Sequence, residues 1–157
     1  MIVVDTREQD PFSLPCRTIR ATLPSGDYSI LSYEHAIAVE RKRPAELYGN
    51  FGAERERFQR EYARLAEYDR AVVVIEGSMA DILRQPRNSQ LSPTVVVRSL
   101  ASWYSRYGVP FIPAGGRAEA QALTYHILAS YHRHKTREAR EQAQERAQAH
   151  DSNGERD

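Results

Sequence analysis

"GDYSILSYEHAIAVERK", residues 26–42, reads as two strand-forming runs around a polar turn. In the second run the β-branched Ile37 and Val39 flank the small Ala38, and Glu40, Arg41 and Lys42 follow without a break. Side chains alternate along a strand, so Glu40 and Lys42 share one face while Arg41 points to the other. A turn centred between Tyr33 and Glu34 gives paired residue numbers a constant sum, which places Asp27 opposite Glu40. Directly opposed positions of an antiparallel pair lie about 5 Å apart at Cβ, where like charges destabilise. Two carboxylates facing each other beside a lysine therefore need a reason. The lysine is itself unusual, because of 22 Lys and Arg residues only Lys42 and Lys135 are lysines.

Two readings are open. Charged residues are common at strand ends, and an exposed same-face Glu40–Lys42 pair contributes well under ~1 kcal/mol. The alternative is a divalent cation, since the hard Mg²⁺ ion is held by one or two carboxylates plus waters and substrate phosphates. Asp5 and Glu8 close the short apolar run "MIVVDTRE" (1–8) and reach the same edge of the sheet. Three acidic strand ends beside a scarce lysine favour the metal.

Outward from this hairpin the chain alternates strands and helices. "MIVVDTRE" and "CRTIRATL" (16–23) read as strands, so the first four elements look hairpin-like. From Pro44 the period becomes helical, with Phe58, Tyr62 and Leu65 on one face and a break expected at Gly49 and Gly52. "RAVVVIEG" (70–77) is the continuous apolar run of a strand covered on both sides. Ser78 and Asp81 have capping-box spacing for a short helix, and Ser92-Pro93 starts a longer one reaching about Tyr107. "VPFIP" (109–113) is a last short strand and "GRAEAQALTYHILASYHRHK" (116–135) a last amphipathic helix. Beyond about Thr136 the chain is Ala, Gln, Glu and Arg with almost nothing to bury, a frayed helix or disordered tail. The pattern predicts one α/β domain over residues 1–135, a central mixed sheet flanked by helices, and a polar tail over 136–157.

Composition narrows the class. A chain of 157 residues with 41% apolar and 27% charged residues can bury one sizeable core. The net charge of +1 argues against bulk attraction to polyanions, while leaving room for a local basic groove. No apolar run reaches membrane-span length, and neither a signal peptide nor a paired cysteine is evident, so a cytoplasmic, intracellular setting is expected. Cys16 reads as a small half-buried residue. Trp103, Tyr104 and Tyr107 read as core or interface aromatics, and His126, His132 and His134 as surface or interface residues without a ligand set.

The motifs "VDTRE" (4–8), "GDY" (26–28) and "VERKRPAEL" (39–47) resemble the nuclease core of the XPF-type structure-specific endonucleases. That family carries a V-D-x-R-E start and a G-D…E-R-K…D signature, and "RERFQRE" (55–61) resembles the Arg-Phe helix that follows. The resemblance implies a restriction-endonuclease-like fold and metal-dependent cleavage of branched or flapped DNA in repair or recombination. It implies Asp27, Glu40, Asp5 and the backbone carbonyl of Arg41 as ligands of Mg²⁺ or Mn²⁺, with Asp5 and Glu8 completing the acidic cluster. Lys42 would orient or activate the attacking water. Arg7, Arg41, Arg43 and Arg57 are the DNA-binding candidates, with Asn50 as a weaker one, whereas the remaining arginines of residues 55–64 read mostly as a solvated ion-pair face. Glu46 stands where the family has aspartate, so its role as ligand or support is open. The tail does not supply the tandem helix-hairpin-helix module of many relatives, so selectivity is expected from the core, a homodimer through residues 109–134, or a partner. Two alternatives compete with the endonuclease: a catalytically silent DNA-binding or scaffold subunit, and an unrelated restriction-type nuclease sharing only the fold.

Overall fold

A computed structural model describes the backbone of residues 1–154 and side chains through residue 148. Strands β1 (Ile2–Asp5), β2 (Thr18–Ala21), β3 (Tyr28–Ile30), β4 (Ile37–Lys42), β5 (Arg70–Ile75) and β6 (Phe111–Pro113) form one sheet in the order β2-β1-β3-β4-β5-β6. Helices α1 (Pro44–Phe51), α2 (Arg55–Leu65), α3 (Met79–Ile82), α4 (Pro93–Tyr107) and α5 (Arg117–Gly154) complete it. The sheet is mixed, with β3 antiparallel to both β1 and β4, while β2 runs parallel to β1, β5 to β4, and β6 to β5. Mixed sheet and flanking helices agree with the restriction-endonuclease-like class expected from sequence. One detail differs. β2 is not the hairpin partner of β1 but a parallel edge strand, because residues 6–17 cross over the sheet end and return to the strand's starting side.

Period-two alternation sorts the sheet into two faces, each with its own core. Val73 and Ile75 join Ala38, Leu47, Phe51, Phe58, Tyr62, Leu65, Leu100 and Trp103 under α1, α2 and α4. Val72 and Val74 join Val4, Tyr28, Ile30, Ile37, Val39 and Leu128 under α5. Trp103 anchors the first core, with ring centroids 4.9 Å from Phe51, 5.2 Å from Phe58 and 5.3 Å from Tyr62. Aromatic contacts of this kind add about 0.5–1.5 kcal/mol each beyond burial, and they fix α2 on the sheet. Tyr104 stays exposed on the opposite side of α4.

The turn into the first helix is set locally. Arg43 is extended, Pro44 occupies the first helical turn, and the Glu46 carboxylate accepts the Arg43 N–H at 2.6 Å. α1 ends at Gly52, where a Cβ would come within 2.7 Å of the Tyr48 carbonyl, whereas Gly49 lies inside the helix. The polar tail continues α5 as helix through Gly154, exposed at every position from Ala139 to Gln148, and residues 155–157 lie outside the described ones. Among the described residues, no helix is long and apolar enough to cross a membrane.

Candidate active site

The hairpin register places its acids together. Tyr28 pairs with Val39, so the next pair outward is Asp27 with Glu40, as the turn geometry predicts. Ile2 pairs with Ile30 and Val4 with Tyr28, which sets Asp5 beside Asp27 in turn. Tyr28 and Val39 face α5, so Asp27, Glu40 and Lys42 face α2. Gly26 makes the close approach: its φ is +81°, and a Cβ there would lie 3.0 Å from Ala38 Cβ and 3.2 Å from the Val39 carbonyl.

Around that register the contacts are short and specific. The Asp27 N–H donates to the Val39 carbonyl at 2.9 Å, and the Arg41 N–H donates to Asp27 Oδ2 at 2.8 Å. In a strand the N–H and C=O of one residue point to the same neighbour. The even carbonyls of β4 serve the β5 side, as Lys42 O does for the Glu76 N–H at 2.8 Å. The Arg41 carbonyl therefore opens toward Asp27. Lys42 Nζ donates to Glu40 Oε1 at 2.5 Å and lies 5.4 Å from the centroid of the Phe58 ring. Glu40 is 3% exposed.

Burial drives the electrostatics. It pushes the Asp27 carboxyl up to about 6, against the Arg41 N–H and the Lys42 charge, with Glu8 and Glu61 adding to the rise. Burial also lifts Glu40 well above the usual carboxylate range; Asp27 adds to this and Lys42 opposes it. For Lys42 burial acts downward, but Glu40, Glu61 and Asp27 outweigh it and hold the ammonium above its ordinary value. Lys42 is thus a fixed cation in this arrangement, which favours orienting a water or phosphate over taking a proton from one.

The remaining sequence candidates divide. Asp5 is 1% exposed, and its acceptors are filled: Arg7 donates from Nε at 2.7 Å and from Nη2 at 2.9 Å, and the Leu23 N–H donates at 2.7 Å. These donors overcome the burial that would raise the Asp5 carboxyl and hold it low. Asp5 is therefore a clamp for the β1 end rather than an open metal ligand. Arg7 keeps much of its side chain exposed around that clamp, within the fields of Asp27 and Glu61. Glu8 accepts the Asp10 N–H at 2.8 Å and lies 3.3 Å from Arg41, close enough to raise Asp27 but already engaged.

Arg41 as a DNA contact does not survive the fold. Its odd register turns the side chain under α5, where it is 5% exposed and 4.7 Å over the Phe12 ring. The guanidinium donates to Glu76 at 2.6 Å, to the Asp10 carbonyl at 2.7 Å and to Glu8, with a second contact to Glu76 and a longer one to Asp10 Oδ2 at 3.5 Å. That leaves no donor for a phosphate. Arg43 and Arg117 reach Asp10 from the same side at 2.8 and 2.9 Å, and Arg43 remains 53% exposed. Arg57 is 67% exposed and, among the described residues, held only by Glu54, at 2.5 Å. Asn50 is buried, with Nδ2 on Glu54 at 3.1 Å, and is not a surface contact. Glu46 is exposed, and its carboxylate is engaged in capping α1.

Four partners escaped sequence reading. Glu76 had a signal, because Val72, Val74 and Glu76 share the face to which Arg41 turns. Glu61 read as part of a solvated helix face, yet it is half-buried and its charge acts on Asp27, Glu40, Lys42 and Arg7. Asp10 and Arg117 had none, since 107 residues separate them.

No curated protein matches the chain. Among solved structures it is similar to XPF from Aeropyrum pernix, with TM-score 0.67 and 23% identity over 83% of this chain and 60% of that one. XPF from Aeropyrum pernix in complex with DNA gives TM-score 0.64 and 24% identity over 85% and 65%. The chain thus spans less than two thirds of the length of either. The family model of the ERCC4 domain matches residues 4–127, a stretch that contains the aligned acids, the ERK motif and all of the sheet from the end of β1 to β6. On that match the chain belongs to the ERCC4 domain family, whose XPF-type nuclease core its motifs resemble.

Proposed function

We propose that the chain is a divalent-metal-dependent endonuclease that hydrolyses phosphodiester bonds in branched, flapped or junction DNA. The observation that carries this reading is the register of half-buried Asp27 against buried Glu40, two acids lifted in pKa and kept opposed beside a charged lysine. Such an arrangement costs stability, and among the described residues Asp27 has one donor, the Arg41 N–H, and Glu40 one, Lys42, whereas the acceptors of Asp5 are all filled. The solved XPF complex with DNA supports DNA as the substrate class.

The residues fit a hard cation. Asp27 and Glu40 would hold Mg²⁺ or Mn²⁺, aided by the Arg41 carbonyl that opens toward them. Bound there, the ion would neutralise charge developing on phosphate and acidify a water. Hydrolysis adds the water oxygen to phosphorus and breaks one P–O ester bond, so negative charge grows on the phosphate oxygens and the leaving oxygen needs a proton. Lys42, already a fixed cation, is placed to meet that charge. Arg7 and Arg57, exposed near the same face, would guide the backbone toward it. A homodimer through residues 109–134 is part of the proposal: an apolar groove of about 380 Å³ lies between β5, β6 and α5, lined by Ile37, Val72, Pro110, Ile112, Ile127 and Tyr131.

The test incubates the protein with flap, fork, four-way and linear duplex DNA, in Mg²⁺, in Mn²⁺ and in EDTA, alongside Glu40→Ala. Metal-dependent cleavage of a branched substrate that Glu40→Ala abolishes is expected. Tight DNA binding with no cleavage of any substrate would favour the scaffold reading instead.

A further inference from the structure

Glu61 occupies a bracketed position on α2. Phe58, three residues before it, packs its ring against Lys42 Nζ, and Arg64, three residues after it, donates to Ser25 Oγ at 3.4 Å. Each step of three residues turns a helix through about 300°, so Glu61 lies midway between those two contacts on one flank of the helix. That flank looks onto the strand ends that carry Asp27 and Glu40. Tyr62 and Leu65, buried in the core beside Phe58, hold the helix in this rotation. Among the described residues the half-buried Glu61 carboxylate accepts no hydrogen bond and makes no ion pair at contact distance. The other acids of this helix start behave differently, since Glu54 is tied to both Arg57 and Asn50 and Glu56 is exposed.

The free carboxylate matters because of what Lys42 does. One ammonium N–H is spent on Glu40, the residue a metal ion would need. If Glu40 turns to a cation, the lysine loses its partner next to a new positive charge and is repelled from the site. A carboxylate on the α2 side gives it a second one.

We propose that Glu61 is the positioning residue of this site: it receives the Lys42 ammonium when Glu40 engages a divalent cation, and so keeps the lysine beside the attacked phosphate. This rests on the endonuclease reading. Two properties follow. Glu61 does not contribute to metal affinity as a ligand does, and its loss leaves a lysine that becomes mobile only when metal binds.

Lysine scarcity makes this measurable. In the full chain labelled with ¹⁵N at lysine, only Lys42 and Lys135 give side-chain ammonium signals, and Lys135→Arg assigns them. Mg²⁺ added to the wild type is expected to shift the Lys42 signal and leave it sharp. In Glu61→Gln the same addition broadens it beyond detection, while the Lys135 signal, held by Asp69 and Glu138, stays put. Cleavage falls about 10- to 100-fold with Mg²⁺ affinity changed less than about threefold, and Glu61→Asp recovers part of both signal and rate. An unchanged Lys42 response and rate in Glu61→Gln would overturn the assignment. A loss of Mg²⁺ affinity as large as that of Glu40→Gln would overturn it too, by making Glu61 a ligand. Mg²⁺ that fails to bind the wild type, or binds without need of Glu40, would sink the endonuclease reading itself and this inference with it.

Discussion

Arg41, on the α5 face of β4, has its guanidinium paired with Glu76, Glu8 and Asp10, and it stacks on Phe12. Among the described residues its neighbours Glu40 and Lys42, on the α2 face, are paired only with each other, with a second, half-buried acid opposite. Both faces bury charge within one strand, but they treat it differently. Around Arg41 every charge has a partner, and Asp10 and Glu76 each meet a second arginine, Arg117, at 2.9 and 3.7 Å. Around Glu40 the acids outnumber the lysine, so the folded chain holds an excess of negative charge that burial makes costly. A face that settles its charges internally stabilises the domain. A face that leaves them unsettled is where the proposed cation would act.

The largest expected effect comes from breaking the settled face. Arg41→Ala leaves the half-buried Glu8 without its cation and Glu76 with Arg117 alone, at 3.7 Å, and loss of one partner of a buried network costs about 3–5 kcal/mol. Thermal or urea denaturation reads this as a large drop in the midpoint. An unchanged midpoint would mean that the arginine network is not what pins β4 to β5. On the unsettled face the counterpart is Lys42→Arg. Arginine keeps the charge but is longer, planar and fork-shaped, so the cation no longer sits where Lys42 Nζ does. Cleavage is expected to fall about 100-fold, with stability changed little. Near-full activity would remove Lys42 from the chemistry.

A smaller effect tests the excess acid directly. The Asp27 carboxyl titrates at about 6 in the folded chain and at about 3.8 in the unfolded one. Between those values the folded state binds more protons, so its stability falls as pH rises from about 4 to 6 and stays lower above. Asp27→Asn should remove Asp27's share of that slope, leaving the part due to Glu40, and raise stability at pH 7.5 by about 1–3 kcal/mol, while abolishing cleavage. Metal binding in the wild type needs the ionised acid, so Mg²⁺ affinity should rise as pH passes through about 6. Denaturation midpoints at several pH values, with and without Mg²⁺, check both directions. A midpoint that rises with pH in metal-free buffer would contradict the lifted carboxyl.

These differences between the faces were partly legible in sequence. The pairing of Asp27 with Glu40 followed from turn position and period alone, because a hairpin of fixed loop length has one register. The opposite orientation of Arg41 followed as well. What Arg41 meets there could not be read, since Asp10 sits in a connection with no period and Arg117 comes from the far end of the domain. Asp5 illustrates a second limit: its place beside Asp27 was readable, but its capture by Arg7 depends on a loop that folds back on the strand end. Glu61 shows a third. On α2 the arginine-glutamate alternation looks like solvent-facing charge, and only the rotation fixed by Phe58, Tyr62 and Leu65 makes one of those acids part of the site. The β1–β2 pairing misled for a similar reason, because strand patterns carry no direction of connection.

The smallest effect concerns which of the two faces meets DNA. Arg57 and Arg43 are both exposed arginines, but Arg57 stands on the α2 side and Arg43 is drawn by Asp10 to the α5 side. If the strand to be cut lies over Glu40 and Lys42, a phosphate competes with Glu54 for Arg57 and leaves Arg43 with Asp10. Removing a single arginine–phosphate pair lowers the slope of log K against log salt by about 0.7–0.9. Arg57→Ala should therefore weaken DNA binding a few-fold and reduce the slope by about that amount, without altering the denaturation midpoint. Arg43→Ala should leave the slope unchanged. The reverse result would put the DNA on the settled face, and the excess of acid around Glu40 would then need an explanation other than cleavage.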